Sequence, residues 1–166
     1  RALAKLSEGL DQMVLITQNV DDLHERGGSE DVIHMHGRLE TLRCEPSGQN
    51  ERRMEDSDLG EEFLECNCCA EPQRVRPDIV WFGEMPMHMN EIYAAVEACE
   101  VFIVVGSSGH VYPAADLVHI AQANGARTIL VNAEPPLNVD FFDEIHLGRA
   151  GELLPTLVQD WLGSPA

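Results

Sequence analysis

The chain has 166 residues, 44% of them hydrophobic, with 29 acidic side chains against 11 lysines and arginines and a formal net charge of −18. That balance excludes the basic footprint that nonspecific nucleic-acid binding needs. No apolar run approaches the roughly 20 residues that span a bilayer, and the length fits one domain of ordinary size with a real core.

The opening "RALAKLSEGLDQ" is charged and amphipathic, unlike a secretory leader. A cytoplasmic protein is expected, and the lack of an initiator Met suggests a fragment or an N-terminally trimmed chain. Leu3, Leu6 and Leu10 at helical spacing predict a helix over 2–13. "MVLIT" (13–17) reads as a short strand buried on both faces. It runs into "TQNVDDLHERGG" and then "HMHG". An ordinary strand end needs one turn signal; this one carries Gln18, Asn19, Asp21, Asp22 and His24, with His34 and His36 just beyond. A polar surface loop would account for the cluster, and so would a polar ligand site at the carboxyl end of a strand. Gly37 after His36 would let the chain pass close to a ligand, and a neutral imidazole there can act as a base near pH 7. His24 and His34 read equally well as hydrogen-bonded scaffold groups.

Residues 43–76 change character. They are rich in Glu, Arg, Ser and Cys, poor in aliphatics, and without a clear period. We read them as a small inserted module that burial alone cannot hold together. Five cysteines without an export signal read as thiols or metal ligands. Cys99 ends an amphipathic segment and reads as a small core residue. Cys44, Cys66, Cys68 and Cys69 bracket the insert. Cys66 and Cys69 have the C-x-x-C spacing that suits tetrahedral zinc, but the partner pair is broken, because Ser47 stands where Cys44 would want a second thiol. The site could use Cys68 as well as Cys69, use three thiols and another ligand, or hold no metal.

"RPDIVWFGE" (76–84) is either a core strand with a turn or an edge segment whose backbone pairs with an extended peptide. Helices follow over 89–100, 113–125 and 155–162, with Pro113 and Pro155 suited to first turns. Strands are predicted at 101–105, running into the turn "GSSG" (106–109), at 127–134 and at 144–148. This rhythm implies an α/β fold: a Rossmann-like parallel sheet with helices on both faces, plus the small insert. In such sheets ligands sit outside the carboxyl ends of the strands. Three polar strand ends, "TQNVDDLH", "GSSGHVYPA" and "VNAE", would share one edge, as a dinucleotide site requires. The turn at Gly106, Ser107 and Ser108 can bring backbone N–H groups and hydroxyls to a phosphate or ribose.

Together these segments resemble the sirtuins, the NAD-dependent protein lysine deacylases. "TQNVDDLH" looks like the family's T-Q-N-[IV]-D-x-L-H, "HMHG" ends in its His-Gly, and "VWFGE" is similar to its F-G-E segment. "GSSGHVYPA" is similar to G-T-S-x-x-V-x-P-A, and "VNAE" to N-x-E. The wording of "CNCC" and "RPDIVWFGEMP" is nearest the bacterial CobB-type class, often grouped with desuccinylases. The resemblance implies NAD as cosubstrate and one structural zinc ion. It places Gln18, Asn19, Val20 and Asp21 on the nicotinamide and ribose side, Gly106, Ser107 and Ser108 on ribose and phosphate, and Asn132, Ala133, Glu134 and Ala150 around the adenosine. His36 would be the general base. Val80, Phe82, Gly83 and Glu84 would form the acyl-lysine tunnel, and Cys44, Cys66 and Cys69 (or Cys68) would hold zinc. The implied division is 1–42 with 77–166 as the NAD-binding domain and 43–76 as the zinc module. Implied partners are acylated lysines of proteins, with neither nucleic acid nor membrane. The implied products are nicotinamide, deacylated lysine and O-acyl-ADP-ribose.

The family's glycine-rich phosphate loop, and the Tyr and Arg that read an acidic acyl group, are not in these 166 residues. Weak or no NAD turnover is therefore expected of this chain alone. Two other readings compete: another NAD-using enzyme such as an ADP-ribosyltransferase, and a non-catalytic zinc-stabilised peptide-binding module. A dehydrogenase would need G-x-G-x-x-G after its first strand, which is absent.

Lys5 is the only lysine among the 11 basic side chains. Many acids with almost no lysine suggest adaptation to high salt. Stability should rise along a KCl series as the like charges are screened; a flat series would remove the idea.

Overall fold

The computed structural model describes residues 1–58, 60, 61 and 64–163. Its elements in chain order are α1 (Ala2–Glu8), β1 (Ile16–Thr17), α2 (Leu23–Arg26), β2 (Ile33–His34), β3 (Gly37–Cys44), β4 (Asn50–Arg53) and β5 (Val75–Ile79). They continue with α3 (Met89–Ala98), β6 (Val101–Val105), α4 (Leu117–Ala123), β7 (Arg127–Asn132), β8 (Glu144–Leu147) and α5 (Ala150–Gly163). No helix among the described residues is long and apolar enough to cross a membrane.

The parallel sheet is β6-β7-β8. Its central strand β7 buries Thr128, Ile129, Leu130 and Val131 in succession. Side chains alternate across a strand, so both faces are covered, and α4 and α5 both pack on β7. This is the α/β layer the alternating pattern implies. A second parallel ladder pairs Ile16 with Ile33 and Thr17 with His34. It joins the rest through a shared core: Ile16, Ile33 and Phe102 pack on the cluster of Met35, Ile92, Val96, Leu117, Ala121 and Ala126. The third sheet is antiparallel, in the order β4-β3-β5, with Leu42, Cys44, Cys66 and Val75 buried in its core.

Several sequence-based boundaries shift. The first helix stops at Glu8, where Gly9 caps it; Leu10 is exposed and does not extend the apolar stripe. The strand expected over 13–17 is reduced to Ile16–Thr17. Val14 is exposed, so this end is not buried on both faces. The three polar strand ends do not share one ladder: β6 and β7 are neighbours, while β1 pairs, among the described residues, with β2 alone. The strand expected through Glu84 ends at Ile79, and β5 is an edge strand of its sheet. The last helix starts at Ala150, which places Pro155 in its interior. There Pro155 removes one backbone bond, and the helix start is secured by the Glu152 and Leu153 N–H groups donating to Arg149 O.

Candidate functional site

β1 delivers Gln18, Asn19, Val20 and Asp21 into the loop before α2, and β2 delivers His36 into the turn before β3. The two pieces are stitched by histidines. His36 Nδ1 lies 3.1 Å from the Gln18 carbonyl oxygen. A carbonyl only accepts, so Nδ1 donates and Nε2 is left as the acceptor, which is the tautomer a base needs. The His36 carbonyl in turn accepts the Val80 N–H at 2.9 Å. Gln18, His36 and Val80 are therefore joined in series, and the segment Val80–Glu84 starts beside the backbone of residue 36.

Gly37 has a different purpose from the one its place in the sequence suggested. Its φ is +79°, and an added Cβ would lie 1.9 Å from the Asp78 carbonyl oxygen. Glycine is needed for the close approach of β5, and strand packing by itself accounts for its small size.

His34 is 4% exposed. Its Nδ1 is 3.2 Å from Asn19 O and its Nε2 is 2.8 Å from Glu25 Oε1. Both partners accept, so both contacts are hydrogen bonds only when both nitrogens carry hydrogen. Arg38 Nη2 reaches the same Glu25 oxygen at 3.1 Å. Burial pushes the Glu25 carboxyl up, but the His34 hydrogen bond and the nearby positive charges outweigh it, and the net shift is downward. His34→Leu takes the ring donor from Asn19 O and leaves Glu25 with Arg38 alone. It should cost about 1–3 kcal/mol in a urea melt. The contribution of Glu25 is present above the unfolded carboxyl pKa and lost as pH falls through the lower folded value. The variant should therefore show a flatter acid limb than the parent, and an unchanged limb would refute the network.

The other half of the candidate site lies at the ends of β6 and β7. Gly106, with φ +67°, donates its N–H to Val131 O at 3.0 Å. Gly106 and Ser108 are exposed, and Ser107 is partly buried. The Asn132 amide donates to Ser107 O and Glu134 O, both at 2.8 Å. It ties the two strand-end loops together, leaving its carbonyl for other partners. Ala133 and Glu134 are exposed beside it, and Ala150 begins α5 after β8.

In the small module four sulfurs converge. The ligand atoms of Cys44, Cys66, Cys68 and Cys69 all lie within 4.8 Å of one another. Cys44–Cys69 and Cys68–Cys69 are each 3.7 Å apart. Tetrahedral zinc with bonds of about 2.3 Å sets its sulfurs roughly 3.8 Å apart, so the donors fit. Cys68 thus joins the trio suggested by spacing, and Ser47 sits 3.2 Å from Cys68 Sγ instead of supplying a thiol. Burial raises the Cys66 pKa, but N–H groups of Gln73 and Cys69 and the thiols of Cys44 and Cys69 bring it to about 6; Cys69 moves up. Cys99 lies apart, its Sγ on Val96 O.

Sequence reasoning missed Arg43 and Arg76, which grip Glu84. They stand on different strands of an antiparallel pair, and no spacing rule links them.

A model of the Sir2 family matches residues 1–113. An NAD-dependent protein deacylase of Salmonella typhimurium is 48% identical over 167 residues, covering 97% of this chain and 58% of that protein. One from Vibrio cholerae is 48% identical over 166 residues, covering 99% and 66%. A solved Sir2 homolog–NAD complex superposes with TM-score 0.88 at 37% identity, covering 96% of this chain and 62% of that one. A Sir2–p53 peptide–NAD+ structure gives 0.85 at 31%, covering 98% and 69%. The chain spans about three fifths to two thirds of the length of these curated relatives.

Proposed function

This chain belongs to the Sir2 family, and from that premise we propose that it carries the site of an NAD-dependent protein-lysine deacylase, with weak turnover by these 166 residues alone. The observation that carries the reading is the series Gln18–His36–Val80. It ties the His36 ring to the Gln18 backbone and the His36 backbone to Val80, where the segment after β5 begins. NAD, when bound, supplies a ribose carbon that becomes electrophilic as nicotinamide leaves. The residues here do the rest. Asn19 and Asp21, exposed at the loop, face the polar nicotinamide and ribose. Gly106, Ser107 and Ser108 offer N–H groups and hydroxyls to ribose and phosphate, and Ala133, Glu134 and Ala150 border the adenosine. His36 Nε2 takes a proton from a ribose hydroxyl, which frees that oxygen to accept the acyl group. Val80, Phe82 and Gly83 present the acyl-lysine.

Two relatives are named protein deacylases and a third similar structure holds a peptide with NAD+; both facts support the substrate class. Residues 1–42 with 77–166 serve as the cofactor domain and 43–76 as the module, whose sheet strands β3 and β5 reach beyond those bounds to Gly37 and Ile79. Cys44, Cys66, Cys68 and Cys69 would hold one zinc ion, which would staple that module. The test is product analysis with NAD and an acetyl-lysine or succinyl-lysine peptide. Nicotinamide release that depends on the acyl group, with O-acyl-ADP-ribose and no NADH, supports the reading. Release without acyl dependence would point to ADP-ribosyl transfer instead.

A further inference from the structure

Trp81, Phe82, Gly83, Glu84 and Met85 are five exposed residues in a row, three of them large and apolar. Burial cannot order this segment, yet it forms a closed turn. Glu84 N–H donates to Trp81 O at 2.9 Å, and Gly83 supplies the positive φ, +93°, that such a turn requires. The Glu84 carboxylate closes the turn a second time. Its Oε2 accepts the Trp81 N–H at 3.0 Å and Arg43 Nη2 at 3.3 Å, and its Oε1 accepts Arg76 Nη2 at 2.5 Å. The Trp81 N–H and the Arg76 guanidinium hold this carboxyl below its usual range.

The two arginines are well anchored. They sit at paired positions of β3 and β5, with side chains only 21% and 13% exposed. Arg43 Nε lies 3.5 Å from Asp78 Oδ1. Arg76 Nη1 donates to Ile79 O at 2.8 Å, and its guanidinium stands 5.9 Å from the centre of the Trp81 ring. A carboxylate has about four acceptor positions, and three are filled from within the chain. Glu84 is therefore mostly committed to the turn and has little capacity left for a substrate.

We propose that Arg43 and Arg76 are positioning residues for the acyl-lysine peptide: acting through Glu84, they hold the Trp81–Glu84 turn so that the backbone from Val80 to Gly83 is ready to receive an extended segment. The inference rests on the deacylase reading and differs from it in assigning Glu84 to the clamp rather than to the peptide. Preorganisation of this kind raises affinity by removing the ordering cost at binding.

The test uses a Trp161→Phe background, in which emission reports Trp81. Arg76→Gln, Glu84→Gln and their combination are compared by anisotropy of a fluorescein-labelled acetyl-lysine peptide and by calorimetry with NAD. Each single change should weaken the peptide by about 10-fold, make Trp81 more open to acrylamide, and leave NAD affinity within about 2-fold. The double variant should be no worse than the singles, because one clamp is broken once. Arg43→Lys, which keeps the charge and loses the fork, should fall between parent and Arg76→Gln and serves if the latter does not fold. Additive losses near 100-fold would mean that Glu84 touches the peptide itself and would overturn the proposal, as would unchanged peptide affinity in variants whose Trp81 is loosened. A parent that binds NAD but no acyl-lysine peptide would instead sink the deacylase reading, and this inference with it.

Discussion

His36→Ala should lower peptide-dependent nicotinamide and O-acyl-ADP-ribose formation by about 10²–10⁴-fold, the usual worth of a positioned base. The expectation rests on a fixed tautomer. The Gln18 carbonyl takes the Nδ1 hydrogen, so the proton-accepting nitrogen is Nε2. Removing the ring also removes the link to Gln18, but the other link survives, since Val80 bonds the backbone of residue 36. Peptide affinity should therefore hold within a few-fold while turnover collapses. His36→Asn offers a sharper comparison. Its amide can still donate toward Gln18 O, yet it has no basic nitrogen, so it should keep NAD affinity and lose turnover as fully as Ala. A turnover in His36→Asn close to that of the parent would exclude His36 as the base. Equal loss of binding and turnover in both variants would make the histidine a scaffold group like His34.

The segments that carry the likeness to sirtuins were legible because each is contiguous. "TQNVD", "HMHG" and "VNAE" are runs in which neighbours in sequence are neighbours at a strand end. The parallel sheet was legible for the same reason: the alternation of β6, α4, β7 and α5 is a local rhythm. What was not legible depends on contacts between distant strands. Gly37 looked like a ligand-side glycine until β5 appeared 1.9 Å from its would-be Cβ. Glu84 looked like a substrate group because its motif is contiguous, while the arginines that claim it lie 41 and 8 residues away. Ser47 looked like a lost ligand, because spacing in one dimension cannot show that adjacent Cys68 and Cys69 both reach the cluster. The strand-end histidines divide the same way. His34 and His36 are two residues apart, yet Glu25 on α2 makes one of them a buried structural group.

Chelating the zinc ion proposed for the cysteine cluster should unfold the small module without unfolding the parallel sheet. The magnitudes decide this. Among the described residues the module core buries four side chains, Leu42, Cys44, Cys66 and Val75, of which two are aliphatic, with Met54 and Leu64 partly buried against them. Burying an aliphatic side chain contributes about 1.5–3 kcal/mol, so the pair supplies roughly 3–6. A structural zinc site contributes about 10–16 kcal/mol at neutral pH, more than the apolar core beside it. The sheet β6-β7-β8 has its own buried cluster around Val118, Leu130 and Phe142 and does not draw on the cysteines. Chelation should thus abolish amide protection in β3, β4 and β5 and spare β7 in hydrogen exchange. Cys44→Ser and Cys66→Ser should do the same, while Cys99→Ser should leave the metal content at one ion per chain. Cys68→Ser separates the ligand sets. Metal loss in that variant assigns four thiolates; full retention means that three thiols and another donor suffice. Arg43 precedes Cys44, and Val75 pairs with Cys44 and precedes Arg76, so the clamp on Glu84 stands on the cluster's own strands. Chelation should therefore open Trp81 to acrylamide as Arg76→Gln does. If the module keeps its protection after the metal is gone, its few aliphatics and its ion pairs are enough, and the cluster is not what holds it.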